Sequence, residues 1–477
     1  MSEHKTDYGI EEYVPMEDRH YSFWDMAAVW MGANCHPSTW WIGGAIAAAG
    51  LLGAVKINLI ANPIVALVIV LVAFMGFKVG TTTIGLSRVP LGIQGSKVAA
   101  FFNVLVSVGW CAVGNFIGAI SMSYIMAGAL GTPAYGEAGG TPFMALAILV
   151  NGLLSLGFVS ISGSKSIAIA EKFLVVGLLL MSGWITYAVF STYSLTDMLN
   201  WVPSAEVAIP TGVGLDIIIA FMFGWVFSSC EFTRYAKTKA ASTWGPAIGL
   251  TIAAWWFVLV GSLGTVAVAM SSGVFDPNMS DPSSVAAGLG LGWVAFIVII
   301  TSTVTTNLIS IYVGAYSIMN IFPKVKLRPG ILISGLSCIA VAMITLAYGS
   351  FYGAFTVFLD YIASAFTPLT AILIVDFYLI RNRDYRIELI GSKTGPYWYG
   401  NGYNLYAFGT WILGTVLYTV SKNIGFGASG IGFVIPNLIT TAIIYYLVAK
   451  FAVSRGAYKD LAGEQSTQKE QKEQKVL

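Results

Sequence analysis

Long apolar runs alternate with short polar connections along almost the whole chain. Twelve such runs are read, at roughly 24–49, 57–77, 100–127, 143–161, 167–190, 214–230, 244–270, 291–319, 331–348, 354–380, 405–420 and 431–449. Most reach or exceed the ~20 apolar residues that cross ~30 Å of hydrocarbon at ~1.5 Å per residue. Soluble cores rarely string twelve of these together, so the pattern predicts an all-α membrane protein with 12 transmembrane helices.

The connections carry a second pattern. If the amino terminus is cytoplasmic, every lysine and arginine from Lys78 to Lys393 falls in or beside an inner connection, and only Lys56 and Lys422 fall outside. The connections LGTPAYGEAGGTP and SGVFDPNMSDPSS carry acids and no base. The positive-inside rule then places both termini in the cytoplasm and the chain in the cell membrane. Hydrophobic residues make up 56% and charged residues 10%, and the net charge of +2 argues against nucleic acid as a partner. The 52 glycines suit close helix packing and helix breaks. Cys35, Cys111, Cys230 and Cys338 all lie in apolar runs and read as free buried thiols. The first 22 residues lack a basic n-region and an apolar h-region, so no cleavable signal peptide is expected. The tail from Arg455, rich in Gln, Glu and Lys, is expected to be disordered.

Peptide groups in lipid need internal partners, so polar or helix-breaking clusters at membrane depth point to a protein-enclosed cavity. In the first span Gly32-Ala-Asn-Cys-His-Pro-Ser-Thr39 interrupts the apolar run. Pro37 has no amide hydrogen and crowds the carbonyl four residues back, which frees acceptors near Gly32 and Ala33 for a cation. A simple proline kink is the alternative. In the sixth span Gly224 stands among large aromatics before Glu231. Breaks five spans apart suit an inverted repeat of two five-helix units with substrate between them. The chain then divides into 1–22 (cytoplasmic segment), 23–190 and 191–381 (the two units), 382–452 (spans 11 and 12) and 453–477 (tail).

Span 8 carries Ser302, Thr305 and Thr306 at i, i+3 and i+4, hydroxyls that can complete the shell of a hard cation such as sodium. Bonding back to carbonyls of their own helix is the rival account. Asn307 and Ser310 extend the strip. Span 3 adds Ser107, Trp110 and Asn115. Flat heteroaromatic ligands need a ring to stack on and amides or hydroxyls at their edges, and spans 3, 6 and 8 hold that combination. His36 can bond a ligand ring or cap the broken backbone. Asp25, Glu171, Glu231 and Asp376 lie at span ends, but Asp360 is several residues into span 10. It reads either as a gating or proton-coupling group or as a hydrated structural acid.

Five motifs in order make the chain resemble the nucleobase-cation symporter family, whose members include cytosine, purine, allantoin and hydantoin permeases. They are Gly80-Thr-Thr-Thr-Ile-Gly-Leu-Ser-Arg-Val-Pro-Leu-Gly-Ile-Gln-Gly-Ser96, the Gly109-Trp110 pair, Glu231-Phe-Thr-Arg-Tyr-Ala-Lys237, Thr305-Thr306-Asn307 and Val375-Asp376-Phe-Tyr-Leu-Ile-Arg381. The resemblance spans about residues 20 to 450. It implies a LeuT-like 5+5 inverted repeat plus two C-terminal helices, and alternating access around spans 1, 3, 6, 8 and 10.

The resemblance also implies a sodium site made of main-chain oxygens of Gly32 and Cys35 with Ser302, Thr305 and Thr306. Its ligand site would use His36, Ser107, Trp110, the aromatic run of span 6 and Asn307. Two positions depart from the family. Gly114 stands where glutamine is common, leaving Asn115 or Ser107 as substitutes, and Met222 stands where a stacking aromatic is expected, leaving Phe221, Phe223 or Trp225. The function implied is import of a nucleobase or related small heterocycle, with sodium or protons as coupling ion, no other cofactor and no catalysis. An amino acid or other zwitterion on the same fold is the alternative cargo. A membrane enzyme is the third reading, disfavoured by the scatter of His4, His20 and His36 and the absence of a metal-ligand motif such as H-E-x-x-H.

Overall fold

A computed structural model of the chain describes residues 12–161, 164–322 and 324–461, with the side chains of 164–174 and 320 outside that description. The first span is two helices, α1 (Phe23–Asn34) and α2 (Pro37–Ile46). Then come α3 (Leu51–Val79), α4 (Thr83–Leu91), α5 (Gly95–Leu130), α6 (Thr141–Ile161), α7 (Ser164–Thr192) and α8 (Leu195–Asn200). The sixth span is α9 (Thr211–Val226) followed by α10 (Ser229–Thr233). After it run α11 (Lys239–Ser272), α12 (Pro282–Gly288), α13 (Gly292–Ile321), α14 (Leu327–Tyr348), α15 (Phe351–Val375), α16 (Leu405–Asn423) and α17 (Val434–Ser454). Every one of the twelve apolar runs is helical. Among the described residues nine helices are long and apolar enough to cross a membrane; α16 falls outside that set, as do the first and sixth spans, each of which is in pieces.

Local chemistry accounts for the helix starts. Ser22 and Asp25 form a reciprocal capping box at the head of α1. Pro37 occupies the first turn of α2, where its missing amide costs that helix no hydrogen bond of its own. The segment 80–96, which reads as a loop, contains α4; Thr82 caps it by accepting from the Gly85 amide (3.0 Å).

Packing follows small residues. α11 lies against α1, α2 and α3, and α13 runs along α5. Where α11 crosses α1 and α2 the backbones touch: a Cβ on Gly43 would lie 2.0 Å from the Val258 carbonyl oxygen, and one on Gly261 would lie 1.8 Å from that of Trp40. Only glycine permits this approach. Gly261→Val should therefore cost about 1–3 kcal/mol through overpacking. Size-exclusion chromatography of the heated protein should show the loss, whereas Gly183→Ala, with no atom within 4 Å of the added carbon, should behave as the parent. Large apolar side chains such as Leu67, Leu180, Ile344 and Leu447 are exposed on the bundle's outside, the surface a bilayer solvates.

Polar groups separate the two ends. The connections 131–140 and 273–291, which contain acids and no base, mark an acidic end, and Arg88, Arg234 and Arg381 mark a basic end. At the basic end Arg19 donates to the carbonyls of Phe77 (2.7 Å) and Val14 (3.2 Å), fastening the segment before α1 to the end of α3. The start of the tail is ordered, contrary to expectation: Tyr458 is buried and Asp460 pairs with Arg381 (2.6 Å). Residues 462–477 lie outside the described residues, as do 1–11 with His4.

Candidate functional site

The break in the first span is where Pro37 requires it. Pro37 offers no amide to the Ala33 carbonyl, and the Ser38 amide turns instead to Nδ1 of His36 (3.2 Å), so Ala33 and Asn34 lose their i+4 donors. The Gly32 carbonyl accepts from the Cys35 amide (3.1 Å). His36 thus caps α2 through Nδ1, while its Nε2 is buried without a partner. Accepting at Nδ1 leaves Nε2–H as the donor of the neutral ring.

The second break lies where it is expected, in the stretch Phe221–Cys230 just before Glu231. The helix runs unbroken through Gly224 and ends at Val226, with Phe227 and Ser228 between α9 and α10. Gly224 has another purpose: a Cβ there would lie 2.8 Å from Nε1 of Trp110. The indole of span 3 rests on the bare backbone of span 6.

Rings enclose that indole edge-on. Phe221 lies 5.2 Å from it at 89°, Phe358 5.1 Å at 77° and Phe355 6.1 Å at 68°. Edge-to-face contacts leave part of the indole free to receive a ligand ring. Two of these three rings come from α15, a ring source legible only in that Phe351, Phe355 and Phe358 repeat at helical spacing. Of the other proposed aromatics, Trp225 instead faces Trp30 (6.1 Å, 69°), and Phe223 is buried beside Met222 without a ring contact among those described.

Asn307 explains the missing glutamine. A Cβ on Gly114 would lie 2.5 Å from Oδ1 of Asn307, so the amide fills the space over that glycine. Gly114 follows Trp110 by four residues, one turn along the same face of α5. The amide is buried (1% exposed) and its Nδ2 reaches Ser155 Oγ (3.4 Å), whereas Oδ1 has no donor among the described residues. Thr303, overlooked in the sequence, belongs to this face, since a Cβ on Gly118 would meet its hydroxyl at 2.4 Å. Asn115 turns the other way: it donates to the Ile148 carbonyl (3.2 Å) and accepts from Asn151 (2.9 Å), a structural link to α6. Ser107 returns its hydroxyl to the Asn103 carbonyl (2.9 Å) near Gly314 of α13.

Ser302 and Thr305 are buried and Thr306 is half-buried. Thr305 bonds back to the Thr301 carbonyl (2.7 Å), while Ser302 and Thr306 make no hydrogen bond among the described residues. α7 packs against both α1 and α13, and α2 touches α13. Among the described residues no trio of His, Cys, Asp or Glu can hold a metal ion. A cation here would be met by carbonyl and hydroxyl oxygens, a donor set that suits a hard monovalent ion.

Stacked rings separate this centre from the acidic end. Trp41 of α2 stacks on Phe351 (4.2 Å, 10°) and Phe355 (4.0 Å, 30°), and Phe351 stacks on Phe116 (4.1 Å, 16°). Beyond them lies a cavity of about 280 Å³ lined by Tyr135, Glu137, Asp276, Asn278, Ser350 and Phe351. Asp360 points elsewhere, pairing with Lys422 and accepting from Tyr418 (3.2 Å). Asp216, another acid the sequence reading passed over, accepts from the amides of Phe433 (2.6 Å) and Val434 (3.0 Å) at the start of α17.

The remaining motifs join elements at the basic end. Thr83 of the 80–96 segment donates to Glu231 (3.1 Å). Asp376 bonds Arg381 (2.5 Å), Tyr385 (2.7 Å) and Tyr445 (2.7 Å).

A helical membrane bundle with broken first and sixth spans around a ring-walled centre defines a secondary transporter of LeuT-like fold. Residues 13–449 match the family described as permease for cytosine/purines, uracil, thiamine, allantoin. The chain belongs to that family, as its ordered motifs imply. It is 24% identical over 484 residues to YxlA of Bacillus subtilis, covering 96% of this chain and 99% of that one. It is 25% identical over 430 residues to the allantoin permease of the same organism, covering 85% and 86%. The fold matches Mhp1, a nucleobase-cation-symport-1 family transporter solved closed with bromovinylhydantoin bound, at TM-score 0.75 and 16% identity over 94% of this chain and 97% of that one.

Proposed function

We propose that this permease imports a nucleobase or related small heterocycle across the cytoplasmic membrane by cation symport, with both termini in the cytoplasm and the acidic end outside. The observation that carries the reading is the pairing of Trp110 with the Asn307 amide one turn away over Gly114. A ring face and an edge-bonding group side by side suit a flat heterocycle. Phe221 supports the indole, and Ser107 and His36 serve the ligand's periphery. Sodium is held by the carbonyl oxygens of Gly32 and Cys35 with Ser302, Thr305 and Thr306, and ion and ligand favour each other's binding by linkage. The units 23–190 and 191–381 move against each other around this centre.

Uptake of radiolabelled cytosine, uracil, adenine, hypoxanthine, allantoin and hydroxymethylpyrimidine into proteoliposomes, with and without sodium, tests cargo and ion together. Asn307→Ala should lower uptake of the accepted substrate about tenfold, the effect of one lost buried hydrogen bond of ~1.5 kcal/mol. Membrane expression should stay near the parent's. Unchanged uptake would remove Asn307 from recognition, and sodium-independent uptake driven by a pH gradient would replace sodium with protons.

A further inference from the structure

The connection 273–291 holds three neighbours at once. Oδ1 of Asn278 accepts from the Ser350 hydroxyl (2.8 Å) and the Tyr352 amide (3.3 Å) at the head of α15. Ser280 accepts from Nε1 of Trp41 (3.2 Å). Ser283 donates to the Ile117 carbonyl (3.0 Å) and accepts from Ser121 (2.8 Å), while Tyr124 donates to Ser284 (3.3 Å). The segment 278–284 therefore ties together α15, α2 and α5, whose rings close the acidic end.

Asp281 is at the centre of this clasp and fully buried (0% exposed). Its Oδ1 accepts from the amides of Ser283 (2.8 Å) and Ser284 (3.2 Å), and its Oδ2 has no partner among the described residues. The titratable groups that reach it are Tyr124 from α5 and Tyr135 from 131–140, with Glu137 acting on Tyr124 and Asp276 on Tyr135. At this end α2, α11 and α13, which with α5 enclose α12, bring no titratable residue, and the connections 131–140 and 273–291 contain no lysine, arginine or histidine. A buried carboxylate with no counter-charge and a free oxygen is costly, and protonation removes that cost. Burial pushes this carboxyl up to about 6 from its ordinary 3.8, against the lowering effect of Ser283 and Ser284.

We propose that Asp281 is a proton-binding site of the acidic end, taking up a proton as the 278–284 clasp docks under the ring closure and releasing it when the closure opens to solution. This proton is separate from any ion held between the first and eighth spans. The closed state binds the proton more tightly than the open one. Closure is therefore favoured most below the ordinary carboxyl value, weakens as pH rises, and reaches its minimum above about 6. The closing equilibrium should shift about tenfold between pH 7.5 and pH 5.

The inference rests on the alternating access proposed above, yet its readout needs no substrate, so an error over cargo would leave the result interpretable. Spin labels at Ala138 and Val357, both exposed, report the separation of the 131–140 connection from α15 in lipid nanodiscs. Between pH 7.5 and 5 the distance distribution of the labelled parent should move toward the closed population, with the shift setting in near 6 and growing as pH falls. Asp281→Asn and Asp281→Ser both keep a helix-capping side chain, so failure of one to fold leaves the other. Both should hold one distribution across that range. A parent without the shift would overturn the proposal, as would either variant retaining it.

Discussion

Replacing Asp376 with alanine is expected to cost about 3–5 kcal/mol, because it leaves the buried Arg381 guanidinium without its closest partner. Asp376 is fully buried and accepts from Arg381, Tyr385 and Tyr445, so its removal also strands the Tyr385 hydroxyl and leaves Tyr445 only Tyr458 (3.3 Å). Arg381 reaches Asp460 and Tyr399 in turn, and Tyr399 donates to the Val89 carbonyl (2.7 Å). The cluster thus joins the end of α15 to α4, α17 and the start of the tail. Asp376→Asn keeps the size and part of the acceptor capacity and should lie between parent and alanine variant. Thermal unfolding followed by size-exclusion chromatography measures both. An alanine variant melting with the parent would show that the bundle holds its basic end without this network.

The same cluster shows what a single sequence displays and what it hides. Asp376 and Arg381 stand five residues apart at a span end, and a mutual pairing was legible there. Asp460 was not, because it lies in a charged stretch whose composition resembles a solvated tail. Only the fold reveals the guanidinium that draws it in. The broken first span was readable because the missing proline amide is a local, obligatory effect. The sixth was readable as a stretch but not to the residue: the helix breaks at Phe227 and Ser228, while Gly224 is a packing glycine whose neighbour is 114 positions away in sequence. Span faces followed from helical spacing, but their partners did not. Asn115 and Gly114 differ by one position and ~100° around the helix, enough to send one toward α6 and leave the other under Asn307. Asp216 was missed because its role depends on the start of α17, more than two hundred residues later.

Trp110→Ala should reduce uptake at limiting substrate by about a hundredfold, combining ~1–3 kcal/mol of lost stacking with collapse of the surrounding rings into the vacated space. The wall has no obvious substitute, since Phe221, Phe355 and Phe358 all present edges to the indole. Gly224→Leu attacks the same contact from the other side. Its Cβ alone would lie 2.8 Å from Nε1 of Trp110, and the rest of the side chain would displace the indole toward the ligand's place. This variant should match the loss caused by Trp110→Ala, and Trp110→Phe, with a smaller face, should retain an intermediate rate. A general packing defect predicts a different order: uptake would follow thermal stability, and the two drastic variants would fall only as far as they melt early. If both transport normally while correctly folded, the ligand stacks elsewhere, and the pairing of Trp110 with Asn307 is an internal packing contact.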